Sequence, residues 1–112
     1  MQNTPRDSVT LALLNARIDL AKAEFDRLLT DRQMDMRKRA VRLEAVAQNL
    51  SHLKTLRVRY MTNQRWMLAY EYALETGHYL NAPITDAQRQ LFAERVITCR
   101  ESLARIDAEV GG

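Results

Sequence analysis

One pair of residues has a spacing that metal sites in helix bundles use. Glu75 and His78 stand three residues apart, as ligands do in carboxylate-bridged di-iron sites. Such a site needs a second copy of this pair and two further carboxylates from facing helices, and the sequence holds one copy. Gly77 is expected to end the helix between the two side chains. We therefore predict no metal at this position.

The other candidates for catalysis lack the surroundings that catalysis requires. Cys99 falls on the apolar face of a predicted helix, whereas a nucleophilic cysteine needs an exposed site beside cations. His52 has no second ligand one helical turn further on, and Glu71 with Glu75 is typical of a solvated acidic face. The sequence contains no glycine-rich phosphate loop and no Gly-x-Ser-x-Gly turn. It therefore predicts a protein that is not an enzyme and needs no cofactor.

The strongest chemical signal is positive charge in the middle third of the chain. Residues 32–65 hold nine cations and two anions, whereas the net charge of the whole chain is only +3. Most of these cations are arginines, whose planar guanidinium suits phosphates and carboxylates. Eight of them form a first basic cluster, Arg37, Lys38, Arg39 and Arg42, and a second basic cluster, Lys54, Arg57, Arg59 and Arg65.

Three interpretations fit these clusters. Both can remain solvated while their aliphatic stems cover apolar surface. They can contact the phosphates of DNA or RNA, with Tyr60, Trp66 and Tyr70 near enough to stack on the bases of a single strand. They can also belong to a protein interface, where Arg, Trp, Tyr and Met are enriched. We expect a protein partner or a homo-oligomer, with nucleic acid as the alternative, and we predict that both clusters, Tyr60 and Trp66 carry the contact.

The elements that position these residues are predicted to be helices. A chain of 112 residues implies a single domain, residues 1–112, and the stretch from Arg6 to Thr76 contains no Gly or Pro. We predict an all-α fold with helices at about 5–29, 31–76 and 86–109. Helix starts are indicated by Thr4 with Pro5, and by capping boxes at Thr30-x-x-Gln33 and Thr85-x-x-Gln88; Gly77 is expected to end the middle helix.

Apolar residues in heptad-like steps of three and four predict antiparallel packing of these helices. The first helix carries Leu11, Leu14, Ile18, Ala21, Phe25 and Leu28, and the last carries Phe92, Val96, Cys99, Leu103, Ile106 and Val110. The middle helix carries a regular stripe of Leu43, Val46, Leu50 and Leu53, and the next core positions on either side are Arg39 and Arg57. Further apolar residues continue on a shifted helical phase: Leu56, Met61, Met67, Tyr70 and Leu74. We expect a coiled-coil-like bundle in which two antiparallel hairpins share one long middle helix. The alternatives are a three-helix bundle whose middle helix breaks near residues 61–64, and a first helix that continues past residue 30.

The location of the protein is also predicted from composition. The first eight residues are polar, unlike a signal peptide, and no apolar run approaches the roughly 20 residues that span a bilayer. A single cysteine excludes an internal disulfide framework. We therefore expect a cytoplasmic protein that does not contact a membrane.

Overall fold

Three long helices form nearly the whole of the structure, a computed structural model that describes residues 5–111, with side chains from residue 9 onward. Helix α1 is Pro5–Thr30, α2 is Met36–Thr76 and α3 is Asp86–Gly111. Between α2 and α3 lie two short strands, β1 (His78–Tyr79) and β2 (Ala82–Pro83). The prediction of an all-α bundle with a long middle helix is confirmed.

The start of α1 agrees with the sequence pattern as far as the structure describes it. Pro5 is the first helical residue, where its missing N–H has no intrahelical partner to lose. Thr4, the predicted N-cap, lies outside the described residues.

The connection between α1 and α2 differs from the prediction. Thr30 is the last residue of α1, and its hydroxyl donates to the carbonyl oxygens of Asp26 and Arg27 at 3.3 and 3.2 Å. The backbone N–H of Gln33 donates to Asp31 Oδ1 at 3.0 Å instead of continuing a helix. The capping box predicted at Thr30 is therefore wrong, because the carboxylate of Asp31 forms a competing local turn. The middle helix begins at residue 36 rather than 31.

The chain divides into two compact units, and α2 contributes to both. The first unit ends at Val58 and contains α1 with the first part of α2. The second unit runs from Arg59 to Val110 and contains the rest of α2, the two strands and most of α3. Helix α2 continues through residues 61–64 without the break that was considered as an alternative.

In the first unit, α1 and the first part of α2 pack as an antiparallel pair. On α1, the predicted apolar stripe is buried at Leu14, Ile18, Ala21 and Leu28, and half-buried at Leu11 and Phe25. Arg57 Nη1 donates to Asn15 Oδ1 at 3.0 Å, which ties the late part of this α2 segment to the early part of α1. Phe25 and Leu50 line the same groove of about 310 Å³. The direction of packing therefore agrees with a helical hairpin.

The first part of α2 is incompletely covered. Between Met36 and His52 no residue is buried, and Leu43, Val46 and Leu50 are only half-buried although they lie on the apolar stripe. The first buried residue of α2 is Leu53. Protein interiors are normally close-packed, so this segment keeps apolar surface in contact with solvent.

The second unit is packed more completely. All six predicted apolar positions of α3 are buried, from Phe92 to Val110. The α2 segment is antiparallel to α3, because Arg89 near the start of α3 contacts the carbonyl of Leu74 at 3.4 Å, whereas Arg100, further along α3, contacts Glu71, earlier on α2, at 2.7 Å. The rings of Tyr70 and Phe92 are 5.3 Å apart. The apolar stripe of α2 continues in its original phase through Tyr60 and Gln64 to Met67 and Leu74, all buried or half-buried. Met61 is exposed, so its predicted place on a shifted stripe is wrong.

The end of α2 follows the predicted pattern. Gly77 has φ of +75°, and its backbone N–H donates to the carbonyl of Ala73 at 2.8 Å, as a C′ glycine does. The guanidinium of Arg89 contacts the carbonyl of Leu74 at 3.4 Å, which places a cation at the negative end of the helix.

A two-residue hairpin between α2 and α3 was not predicted. Tyr79 pairs with Ala82, and the two residues between them, Leu80 and Asn81, both have positive φ. Such φ values are those of a type I′ turn, where Gly and Asn are favoured. Leucine is strained in this conformation, and its side chain is 81% exposed here.

The start of α3 forms the predicted capping box. Thr85 N–H donates to Gln88 Oε1 at 2.9 Å, and Gln88 N–H donates to Thr85 Oγ1 at 3.1 Å. Each side chain therefore satisfies one backbone donor that the helix start leaves unpaired. Asp86 follows in the first turn, where its charge suits the helix dipole.

Gly77→Ala is expected to lower the free energy of unfolding by about 1–2 kcal/mol. The cost comes from the backbone alone, because an added Cβ would meet only Arg89 Nη2 at an ordinary 3.9 Å. Gly111→Ala is the matched control, since Gly111 is helical and an added Cβ would meet nothing within 4 Å. Urea denaturation of both variants checks the prediction, and equal stabilities would contradict it.

Candidate interaction surface

The first basic cluster occupies the first two turns of α2, within the first unit. Arg37, Lys38 and Arg42 are exposed and Arg39 is half-buried. The backbone N–H of Arg39 donates to the carbonyl of Asp35 at 2.9 Å, which is the first hydrogen bond of the helix. The short loop before α2 and the first helical turns therefore hold these cations on one small region of the surface.

A groove of about 450 Å³ lies within this cluster. The groove is lined by Met34, Arg37, Lys38, Val41 and Arg42. Val41 is 68% exposed, so an aliphatic side chain faces solvent among these cations. We call this feature the basic groove. Sequence reasoning singled out its cations but not Val41, because the sequence alone does not show which exposed valine lines a concave surface.

The cations of the basic groove are not paired with acids in the described part of the chain. No acidic side chain of residues 9–111 lies within salt-bridge distance of Arg37, Lys38 or Arg42. The N-terminal end of a helix carries partial positive charge, so these cations raise the local potential further. The first turn of α2 contains no acidic residue that would offset it.

The second basic cluster is spread along α2 and over both units. In the first unit, Lys54 is exposed, whereas Arg57 is half-buried and held by its hydrogen bond to Asn15. In the second unit, Arg59 and Arg65 are exposed. Arg57 therefore has a structural partner, and the other three cations face solvent.

The two predicted aromatic contact residues lie in different environments. Tyr60 is 0% exposed and is the largest fully buried side chain in the described structure, so its ring is not available to a partner. Trp66 is about half exposed, and one face of its ring stacks on Tyr70 with centroids 5.7 Å apart.

Tyr70 in turn stacks on Phe92, which makes an edge contact with Tyr79 at 5.0 Å. Trp66 is therefore the outer end of an aromatic row that runs into the core of the second unit. Trp66 and Tyr70 are one helical turn apart, so the sequence carries a signal for their contact. The contacts with Phe92 on α3 and Tyr79 on β1 carry no such signal, because they depend on how these elements pack.

Glu71 and His78, two of the residues considered for catalysis, have partners within the second unit. Glu71 accepts a hydrogen bond from Arg100, and the ring Nδ1 of His78 lies 3.0 Å from the carbonyl oxygen of Thr76. Within residues 9–111, no group of three or more His, Cys, Asp or Glu side chains is arranged to hold a metal ion.

Cys99 is buried on α3, and burial raises the pKa of its thiol, which the nearby guanidinium of Arg95 lowers only in part. A raised pKa leaves less thiolate at neutral pH, and the thiolate is the reactive form. We expect native Cys99 to react with an alkylating reagent at pH 7.5 at least about tenfold more slowly than in denaturant. Mass spectrometry of timed samples checks this, and equal rates in the two conditions would contradict it.

The sequence matches no family model, and neither curated proteins nor solved structures show a significant match to it. None of the helices in the described part of the chain is long and apolar enough to cross a lipid bilayer.

Proposed function

We propose that this protein is a non-catalytic helical interaction module, which works by docking its helical surface onto a protein partner or onto a second copy of itself. The observation that carries the proposal is the incomplete covering of α2 between Met36 and His52, where no side chain is buried. A helix with a regular apolar stripe normally buries it, and a partner would complete the burial here.

Further exposed apolar side chains support the same proposal. Leu20 on α1 and Met36 and Val41 on α2 are large, exposed and all in the first unit. Scattered apolar residues are normal on a protein surface, but these lie in the same unit as the incompletely buried stripe of α2. Methionine and arginine, which are enriched in protein interfaces, both occur more than once in residues 34–42.

Site-specific photo-crosslinking tests this proposal. Benzoylphenylalanine is introduced in place of Val41 or Leu20, and in place of the exposed Glu94 on α3 as a control. A docking module is expected to give a discrete protein adduct, or a covalent dimer, from the two apolar positions and none from Glu94. Equal yields at all three positions, or no adduct at any, would contradict the proposal.

The alternative function is contact with a DNA or RNA backbone through the cations of α2. It is favoured by the exposure of Lys54, Arg59 and Arg65 in addition to the first basic cluster. Fluorescence anisotropy with labelled single- and double-stranded DNA and RNA, at about 50 and 200 mM salt, distinguishes this function. Binding that collapses at the higher salt, together with nuclease-sensitive crosslinks, would replace protein docking by this alternative.

A further inference from the structure

The basic groove has a composition that selects one class of partner. Its apolar part consists of Met34, Val41 and the aliphatic stems of three cations, and no acidic residue lines it. We propose that the groove binds an acidic amphipathic helix of a partner protein. This inference rests on the docking function proposed above and specifies the chemistry of the partner.

The spacing of the lining residues fits a helical ligand. Arg37, Lys38, Val41 and Arg42 lie on two successive turns of α2, and Met34 joins them from the loop before the helix. At 1.5 Å per residue the helical part of the lining, residues 37–42, extends about 7.5 Å, which equals roughly one and a half turns of a partner helix. Helices that bind in grooves insert apolar residues at i and i+3 or i+4, and Met34 and Val41 are the apolar side chains of the lining that could receive them.

The charge of the groove favours an acidic partner. Residues 32–42 hold five cations and one anion, and the three cations in the groove have no acidic partner among the described residues. Among the described residues, salt bridges join Arg27 to Glu24 and Arg100 to Glu71, and both lie away from the groove. Carboxylates flanking an apolar ridge would neutralise the cations while the ridge covers Val41.

The apolar lining favours a peptide over a nucleic acid. Phosphates would contact the charged ends of Arg37, Lys38 and Arg42 but would leave Met34 and Val41 without apolar contacts. No aromatic side chain lines the groove for stacking on bases.

Selection from a displayed library of random peptides of about 16 residues, roughly four helical turns, tests the inference with the whole chain as bait. Enriched peptides are expected to place Leu, Ile, Met or Phe at intervals of three or four, flanked by Asp and Glu. The double variant Arg37→Glu/Arg42→Glu is expected to weaken the best peptide at least about tenfold, because two attractive contacts become repulsive.

Val41→Ser separates apolar docking from simple charge attraction. We expect it to weaken the best peptide about fivefold, because it removes the exposed apolar anchor without changing charge. Val58→Ser is the matched control, since Val58 lies on the same helix, is 62% exposed and is outside the groove. The affinity of Val58→Ser for the best peptide should stay within about twofold of that of the parent chain. Circular dichroism confirms that each variant remains helical.

Several outcomes would overturn the inference. These are enrichment of peptides without acidic residues, no enrichment at all, or affinities that are insensitive to both Val41→Ser and the charge reversal. A parallel titration with double-stranded DNA of about 20 base pairs covers the other class of ligand. DNA binding that is tighter than the best peptide, is lost on charge reversal and is unchanged in Val41→Ser would assign the groove to nucleic acid.

The photo-crosslinking experiment keeps this inference distinct from the general proposal. Protein adducts from Leu20, combined with a failed peptide selection, would reject the basic groove as the docking site and retain the docking function. Absence of adducts at Leu20 and at Val41 would reject the docking function itself.

Discussion

Tyr60→Ala is expected to lower the free energy of unfolding by about 3–5 kcal/mol, the range for removing a buried aromatic side chain. Tyr60 is the largest side chain that is fully buried in the described structure, and it belongs to the regular apolar stripe of α2. Its removal would leave a cavity that close-packed neighbours fill only in part. Urea denaturation followed by circular dichroism at 222 nm measures the change.

Tyr72→Ala is the matched control for this prediction. Tyr72 is on the same helix and is 59% exposed, so its truncation is expected to change stability by no more than about 0.5 kcal/mol. Tyr60→Phe adds a second comparison, because it keeps the ring and should retain most of the stability. A loss for Tyr60→Ala no larger than that for Tyr72→Ala would show that Tyr60 is not a core residue.

Gln64→Leu is expected to raise the free energy of unfolding by about 1–2 kcal/mol. Gln64 is buried on the apolar stripe of α2, one turn after Tyr60, and its Nε2 has no hydrogen-bond partner among the described residues. A buried donor without a partner has lost its hydration without compensation, whereas leucine has a similar size and no polar group. The same denaturation experiment measures the gain.

The neighbouring Asn63 provides the control for Gln64. Its Nδ2 donates to the carbonyl of Arg59 at 2.8 Å, so Asn63→Leu relieves no unpaired group and is expected to bring no comparable gain. Polar residues on apolar stripes also fix the register and number of helices in a bundle. Sedimentation velocity of Gln64→Leu therefore accompanies the stability measurement. A destabilised variant would contradict the assignment of an unpaired amide.

The helices were predictable from sequence where local signals agreed with one another. On α3 the apolar steps, the capping box of Thr85 and Gln88 and the break at Gly77 all indicated a start near residue 86, and the structure has it. The helix continues to Gly111 rather than ending at about residue 109. The loop at Thr30 was predicted wrongly because two local motifs competed there. A hydroxyl that can cap a following helix can equally bond back to the helix before it, and the carboxylate of Asp31 favoured the loop.

Other features depend on contacts between residues that are far apart in sequence. The hairpin at Leu80 and Asn81 lacks the glycine that marks such turns, so its strands carried no local signal. Tyr60 could be expected either at the surface or in the core, because tyrosine combines an apolar ring with a polar end. Tyr60 lies in the core because the packed helices bury it, and this packing is not visible in the sequence around Tyr60. The basic groove similarly required the conformation of the loop before α2, although its charge was evident from sequence.

The uncovered first part of α2 also has a consequence for the dynamics of the chain. Local opening of a helix costs less free energy where few side chains are buried, and amide hydrogens exchange with solvent through such openings. Residues 36–52 contain no buried side chain, whereas α3 carries seven buried residues along its length. The backbone amides of 36–52 are therefore expected to exchange hydrogen for deuterium well before those of α3. A ligand that covers this segment would slow its exchange, so the protection of these amides provides a direct measure of occupancy.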